Sequence, residues 1–183
     1  LDHVDSFIMS DKIENLTMPI QLHYENKELI ASGLDVIAKC CVSEFWSGTI
    51  ALMDLPKAVL DTMRKWIKNA EIVSPCLIIQ ACAAREEDGV TALVESGVYD
   101  VTLEAMKIHK LSVDVCKGAM LLLDRLTDVE DIGEGVKQLG KQPVIDLLID
   151  VIAEYIEDRD LIVSAVGVIS DLVSNDELGP LFL

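Results

Sequence analysis

Residues 111–126 read LSVDVCKGAMLLLDRL, and from Ala119 onward they follow the order small, apolar, any, apolar, apolar, any, any, apolar. The same order begins at Gly33 (GLDVIAKC), Pro75 (PCLIIQAC) and Ala165 (AVGVISDL), so the four starting positions lie 42, 44 and 46 residues apart. A period of roughly 40 to 47 residues is typical of helical solenoids, in which one unit buries its apolar face only against its neighbours. The sequence therefore predicts an array of helical units.

The composition favours an all-α fold with an aliphatic core. Of the 183 residues, 51% are hydrophobic but only 4% are aromatic. Alternating Val, Thr and Tyr runs of strand length are absent from the sequence. The five cysteines are odd in number and lack C-x-x-C spacing, which indicates buried thiols in a reducing compartment and favours neither a disulfide framework nor a zinc site.

The sequence also predicts where the chain resides. It has no uninterrupted apolar run near the roughly 18 to 20 residues that cross a bilayer, and no basic N-terminal region followed by an apolar one. We therefore expect a soluble cytoplasmic protein without membrane insertion. Because the chain starts at Leu1 and ends in ELGPLFL, where another unit should begin, we expect a segment of a longer protein, whose exposed end units offer a surface for self-association.

Each predicted unit has a short, a middle and a long helix. The pattern is clearest for helices over residues 89–95, 99–109 and 111–128, with Ser96 and Gly97 separating the first two and Leu123 in the core. Similar triplets are predicted on either side, with Asn26 capping the first long helix and Pro56 and Pro143 opening middle helices. The predicted units are 1–43 (partial), 44–87, 88–130, 131–175 and the start of another at 176–183.

The phrases ALVESGVYDVTLEAM and LSVDVCKGAMLLLDRL resemble armadillo repeats, and the resemblance covers about three complete units and two partial ones. It implies a right-handed superhelix whose third helices line a concave groove. HEAT repeats, with two helices per unit, are the alternative. The breaks before the middle helices favour three helices per unit. The resemblance implies a non-catalytic scaffold or adaptor that binds a protein or peptide in the groove. A second hypothesis is an architectural spacer in a cytoskeletal, ciliary or multidomain signalling assembly.

One subtype of the armadillo family can be tested on the residues themselves. Nuclear-import adaptors carry a ladder of Trp and Asn on their third helices. The positions corresponding to Trp hold Asp35, Leu77, Leu121 and Gly167, and those corresponding to Asn hold Lys39, Ala81, Arg125 and Asp171. The ladder is absent, which makes an import adaptor the less favoured function.

The groove candidates are two apolar anchors with a charged rim. We expect Leu77 and Leu121 to be exposed in the middle of the groove, where they would contact an extended or helical peptide. The alternative is that the register is wrong by one residue and that both leucines belong to the core. The charged rim consists of Asp35, Lys39, Lys117, Arg125 and Asp171.

The net charge of −17 is densest between residues 124 and 160. Such a charge repels nucleic acid and acidic membrane surfaces and speeds encounter with a basic protein or peptide. The alternative is that these acids only form solvated outer helix faces.

The sequence contains no recognisable set of catalytic residues. The three histidines are far apart and have no partners at metal-ligand spacing. Asp146, Asp150 and Glu154 share one helix face, which is typical of a solvated stripe. We therefore predict no catalytic residues, metal or cofactor.

Overall fold

A computed structural model describes residues 18, 22–41, 55–127, 137 and 139–174. Within these ranges the chain forms eight α-helices and no strands, which confirms the predicted all-α class. None of these helices is both long and apolar enough to cross a membrane. The helices are α1 (Lys27–Cys40), α2 (Leu55–Lys65), α3 (Ala70–Ala83), α4 (Glu87–Glu95), α5 (Val98–Ile108), α6 (Val113–Thr127), α7 (Gln142–Glu154) and α8 (Arg159–Ser174).

Local sequence signals fix several helix ends as predicted. The Asn26 side chain accepts a hydrogen bond from the Leu29 amide at 3.1 Å, which caps α1. Gly97 has a φ of 75°, a left-handed conformation that glycine adopts without a Cβ clash, and it separates α4 from α5. Pro143 lies in the first turn of α7, where its missing N–H leaves no helical bond unmade.

Four of the helices, which we call the row helices, pack side by side in the order α1, α3, α6, α8. The remaining helices support this row: α2 packs on α3, α5 on α6 and α7 on α8, while α4 contacts α2 and α5. The core is aliphatic, and Leu123 is fully buried in it, as predicted. Cys41, Cys76, Cys82 and Cys116 are buried free thiols and Cys40 is half-buried, which confirms the expected buried thiols at four of the five positions.

Hydrogen bonds join positions that lie one helix triplet apart. At the ends of α2 and α5, His109 Nε2 lies 2.7 Å from the Ile67 carbonyl oxygen, 42 residues earlier. At the end of α7, the Tyr155 hydroxyl donates to the Lys110 carbonyl at 3.1 Å, across 45 residues. Such bonds align neighbouring turns as well as neighbouring helices.

Several predicted segments lie outside the described residues. These are the partial first unit before residue 18, the start of another unit at 176–183, and the short helix predicted over 46–55 except for Leu55, which is instead the first residue of α2. Of the predicted short helix over 133–139, only Lys137 and Leu139 are described.

Candidate functional site

The four row helices run in the same direction, because their corresponding ends lie together. Near the start of α1, Lys27 forms an ion pair with Glu71 at the start of α3, at 3.4 Å. At the other end, the Thr127 hydroxyl of α6 donates to the Asp171 carboxylate of α8 at 2.7 Å. The N-terminal turns of the row therefore form one continuous edge.

The second residue of every row helix is acidic and exposed. These residues, which we call the acidic positions, are Glu28, Glu71, Asp114 and Asp160. A carboxylate in the first turn interacts favourably with the positive end of its own helix, typically by about 0.3–1 kcal/mol. Because the helices are parallel neighbours, the same local preference also places carboxylates on each row helix along one edge.

A depression of about 470 Å³ opens on this edge across three of the row helices. Its lining is mixed, with one carboxylate and at least one serine hydroxyl associated with each of α1, α3 and α6. None of the described residues that line it is cationic. Its lining consists of Ala31, Ser32 and Asp35 from α1, Ala70, Glu71, Ser74 and Pro75 from α3, and Ser112 and Asp114 at the start of α6.

Pro75 changes the hydrogen bonding of the depression. It is the sixth residue of α3 and has no N–H with which to donate to the carbonyl oxygen of Glu71. Both residues line the depression. The Glu71 carbonyl oxygen therefore lacks the helical hydrogen bond that a residue other than proline would donate at this position.

The lysines near this edge form ion pairs that leave the acids in excess. Lys27 pairs with Glu71, and Lys39 pairs with Asp35 at 2.6 Å on the same helix. Asp114 forms no ion pair with any described residue closer than 4 Å. The edge thus keeps negative charge available to a ligand.

Lys117 is held by the connection between α7 and α8. Its ammonium lies 2.8 Å from the Asp158 carboxylate. The hydrogen bond to Asp158, together with the charges of Asp158, Asp160 and Asp114, raises the pKa of Lys117. The same hydrogen bond lowers the pKa of Asp158. Lys117 thus links α6 to the start of α8 and is surrounded by carboxylates, so a role as a ligand-binding cation at the rim is disfavoured.

The predicted register is wrong by one residue in α3. Leu77 is fully buried, whereas Ile78 is half-buried and packs at the edge of the core. Counted from the helix starts, the seventh residues are Gly33, Cys76, Ala119 and Ala165, so Cys76 takes the place that the sequence pattern assigned to Pro75. The intervals then become 43, 43 and 46 residues.

This correction removes Leu77 from the groove candidates. The reason is close packing: a Cβ added to Gly118 of α6 would lie only 3.0 Å from the Leu77 Cβ, so Leu77 fills the contact between α3 and α6. Leu121 is half-buried and packs against the core, so it is a partial surface residue and not a fully exposed anchor. In the corrected register Ile78 and Cys82 replace Leu77 and Ala81, and neither position carries Trp or Asn.

The other predicted rim residues are not brought together into one site. Asp35 and Lys39 are exposed and paired with each other on α1. Asp171 is half-buried and accepts the hydrogen bond from Thr127 between α6 and α8. Arg125 is half-buried, and its Nε is buried without a hydrogen-bond partner among the residues that the structure describes. Of the seven predicted residues, only Asp35 lines the depression.

The acidic positions were missed because the sequence pattern was aligned on apolar residues. Each acid lies five residues before the seventh residue of its helix, so the correct register brings all four into one column. The chemistry available there is recognition of cations by carboxylates and hydroxyls. No cluster of three or more metal-ligating side chains occurs among the residues the structure describes.

The predicted stripe on α7 forms a separate surface. Asp150 and Glu154 line a shallow pocket of about 360 Å³ together with Lys110 and Leu111. Asp146 instead accepts a hydrogen bond from Gln142 at 2.8 Å. This surface carries fewer carboxylates than the edge of the row.

Comparison of the chain with models of protein families, with curated proteins and with solved structures finds no match.

Proposed function

We propose that this chain is a non-catalytic protein-interaction module, built as an armadillo-type α-solenoid, that binds a basic peptide segment across the N-terminal turns of its row helices. The observation that carries the proposal is the acidic residue at the second position of all four row helices, together with a depression across three of them that has no cation among its described lining residues. Carboxylates attract and pair with Lys and Arg, and a net charge of −17 speeds their approach.

The helix order supports the repeat architecture. The triplet α4, α5 and α6 has 9, 11 and 15 residues, which is the order short, middle and long. The row contacts join each long helix to the next one. Hydrogen bonds between the ends of middle helices, such as that from Tyr155 to Lys110, join one triplet to the next. A stack of three-helix units accounts for all three features.

The spacing of the row suggests the form of the ligand. Packed helices lie about 8–10 Å apart. A polyproline II segment advances about 3.1 Å per residue with three residues per turn, so side chains at every third position share a face and repeat at about 9.3 Å. A peptide with a basic residue at every third position would therefore meet one acidic position per row helix.

The test uses a fluorescein-labelled peptide with four Lys-Pro-Pro repeats, and its binding is measured by fluorescence anisotropy. Exchanging both Glu71→Gln and Asp114→Asn removes two exposed carboxylates, each contributing about 0.2–1 kcal/mol, so we expect the affinity to fall roughly 2- to 30-fold. The matched control is Asp146→Asn with Asp150→Asn, which removes the same charge from exposed positions on α7.

An equal loss in the two double variants would show general charge attraction and would contradict the proposed site. A peptide of the same composition with its four lysines adjacent should bind more weakly, because it cannot reach all four helices. If neither peptide binds at low salt, the architectural spacer becomes the better hypothesis. The cytoplasmic location stays a prediction.

A further inference from the structure

Two cysteines lie where the C-terminal ends of α1 and α3 come together. Cys41 is the residue that follows α1, and Cys82 lies in the last turn of α3. The Cys82 thiol donates a weak hydrogen bond to the Cys41 carbonyl oxygen, with a sulfur to oxygen distance of 3.7 Å across 41 residues. The two residues are 4% and 3% exposed. They therefore form an enclosed pair between two neighbouring row helices.

The surroundings of the pair differ for its two members. A hydrogen bond from the Cys41 thiol, with the nearby guanidinium groups of Arg85 and Arg125, lowers the pKa of Cys82. The same hydrogen bond and burial raise the pKa of Cys41. The pKa values of the two thiols are therefore shifted in opposite directions, that of Cys82 down and that of Cys41 up. This is the asymmetry that a nucleophilic thiol and its resolving partner require.

Arg125 strengthens this assignment from a neighbouring helix. Its Nε is buried and has no hydrogen-bond partner among the described residues, although the side chain lies close enough to influence Cys82. A buried guanidinium nitrogen without a partner is costly, and a thiolate at Cys82 would supply a negative charge nearby. A negative charge on the Cys82 sulfur would thus offset the cost of the unpartnered Arg125 Nε.

The other cysteines lack these features. Cys76 is fully buried in the middle of α3, and burial raises the pKa of its thiol. Burial also raises the pKa of Cys116 to about 11, and its thiol donates only to carbonyl oxygens of the α5–α6 turn. Cys40 is half-buried, and burial raises its pKa as well. These three cysteines therefore serve as internal references against which the labelling rate of Cys82 is compared.

We propose that Cys41 and Cys82 form a peroxide-sensitive dithiol that closes to a disulfide joining α1 to α3. The Cys82 sulfur attacks hydrogen peroxide, so that the O–O bond breaks, a sulfenic acid forms and water is released. The Cys41 sulfur then attacks the Cys82 sulfur, the S–O bond breaks and a second water leaves. Two electrons pass from the two sulfurs to the peroxide, and both thiol protons end in water.

The site is independent of the proposed peptide surface. The thiols lie at the C-terminal ends of the helices, whereas the acidic positions lie at the second residue of each. Oxidation would therefore stabilise the contact between α1 and α3 without covering the depression.

The experiment treats the full chain with dilute hydrogen peroxide, blocks free thiols and maps tryptic peptides by mass spectrometry. Cleavage after Lys39, Lys57, Lys68 and Arg85 places Cys40 with Cys41 in one peptide and Cys76 with Cys82 in another. The double variant Cys40→Ser and Cys76→Ser leaves one cysteine in each peptide, so a crosslinked peptide pair identifies the bond without ambiguity. A parallel measurement follows iodoacetamide labelling of each cysteine in the untreated wild-type chain.

We expect the crosslinked peptide pair in both proteins, assigned to Cys41 and Cys82 by the double variant and removed by dithiothreitol, and a rise in thermal midpoint that the reductant reverses. Labelling of Cys82 should be roughly tenfold faster than that of Cys76, and Arg125→Gln should slow it. Oxidation that stops at sulfinic acid on Cys82, a bond from Cys82 to Cys40 instead, or equal labelling of Cys82 and Cys76 would each overturn the proposal. The labelling rates in the untreated wild-type chain keep the proposal falsifiable even if the double variant fails to fold.

Discussion

Replacing Leu77 and Leu121 separately by alanine tests the corrected register, because the sequence pattern treats them as equivalent while the structure does not. Leu77 is fully buried between α3 and α6. Its alanine variant keeps the Cβ that faces Gly118 but loses three carbon groups, a transfer loss of roughly 2–2.5 kcal/mol. The cavity left in a close-packed contact adds up to about 2 kcal/mol. We expect a total loss of about 3–4 kcal/mol.

The loss at Leu121 should be smaller because that side chain is only partly buried. Water can fill the space, which removes the cavity contribution, and the reduced transfer contribution leaves about 1–2 kcal/mol. Urea unfolding followed by far-ultraviolet circular dichroism measures both variants, with the m-value checked for a change in the extent of unfolding. Losses that agree within about 0.5 kcal/mol would refute the register and restore the original pattern.

Two further predictions follow from the contact of α6 with its neighbours. A Cβ at Gly167 would displace the Asp124 carboxylate, which is the end of a side chain that can rotate away. Gly167→Ala should therefore gain the full helix-propensity stabilisation of about 0.5–1 kcal/mol only in an Asp124→Ala background and less than that in the wild-type background; additive effects in thermal melts would contradict this. Since the pKa of Asp158 is lowered by Lys117, the stabilisation from this pair is complete above the ordinary value of 3.8 and is lost as pH falls through the folded-state pKa. Lys117→Gln should therefore flatten the acid limb of the thermal midpoint measured against pH, and an unchanged limb would show that the pair does not contribute.

The helices themselves could be predicted because their signals are local. Asn26, Gly97 and Pro143 each act through their own backbone neighbours, by capping, by a left-handed φ and by a missing N–H. The order of the long helices along the row also follows from the repeated pattern. These features do not depend on knowing which side of a helix faces a neighbour.

The register of α3 could not be predicted because this helix is apolar almost all round. It packs between α1 and α6 and also against α2, so it buries residues on most of its circumference and shows no clear hydrophobic period. Leu77 and Ile78 both satisfy the pattern, and only packing distinguishes them. The pairing of Lys117 with Asp158 and the influence of Arg125 on Cys82 depend likewise on residues about 40 positions apart, which no local signal encodes.

The hydrogen bonds between turns restrict where this chain tolerates insertions. His109 with Ile67, and Tyr155 with Lys110, hold consecutive turns at fixed separations of 42 and 45 residues. A residue added inside α3 or α6 would rotate the following side chains by about 100° and would also displace a turn from its bonded partner. Insertions are compatible with the fold only in the segments between these hydrogen-bonded positions. The interval from α6 to α8 is 46 residues, three residues longer than each of the two earlier intervals of 43.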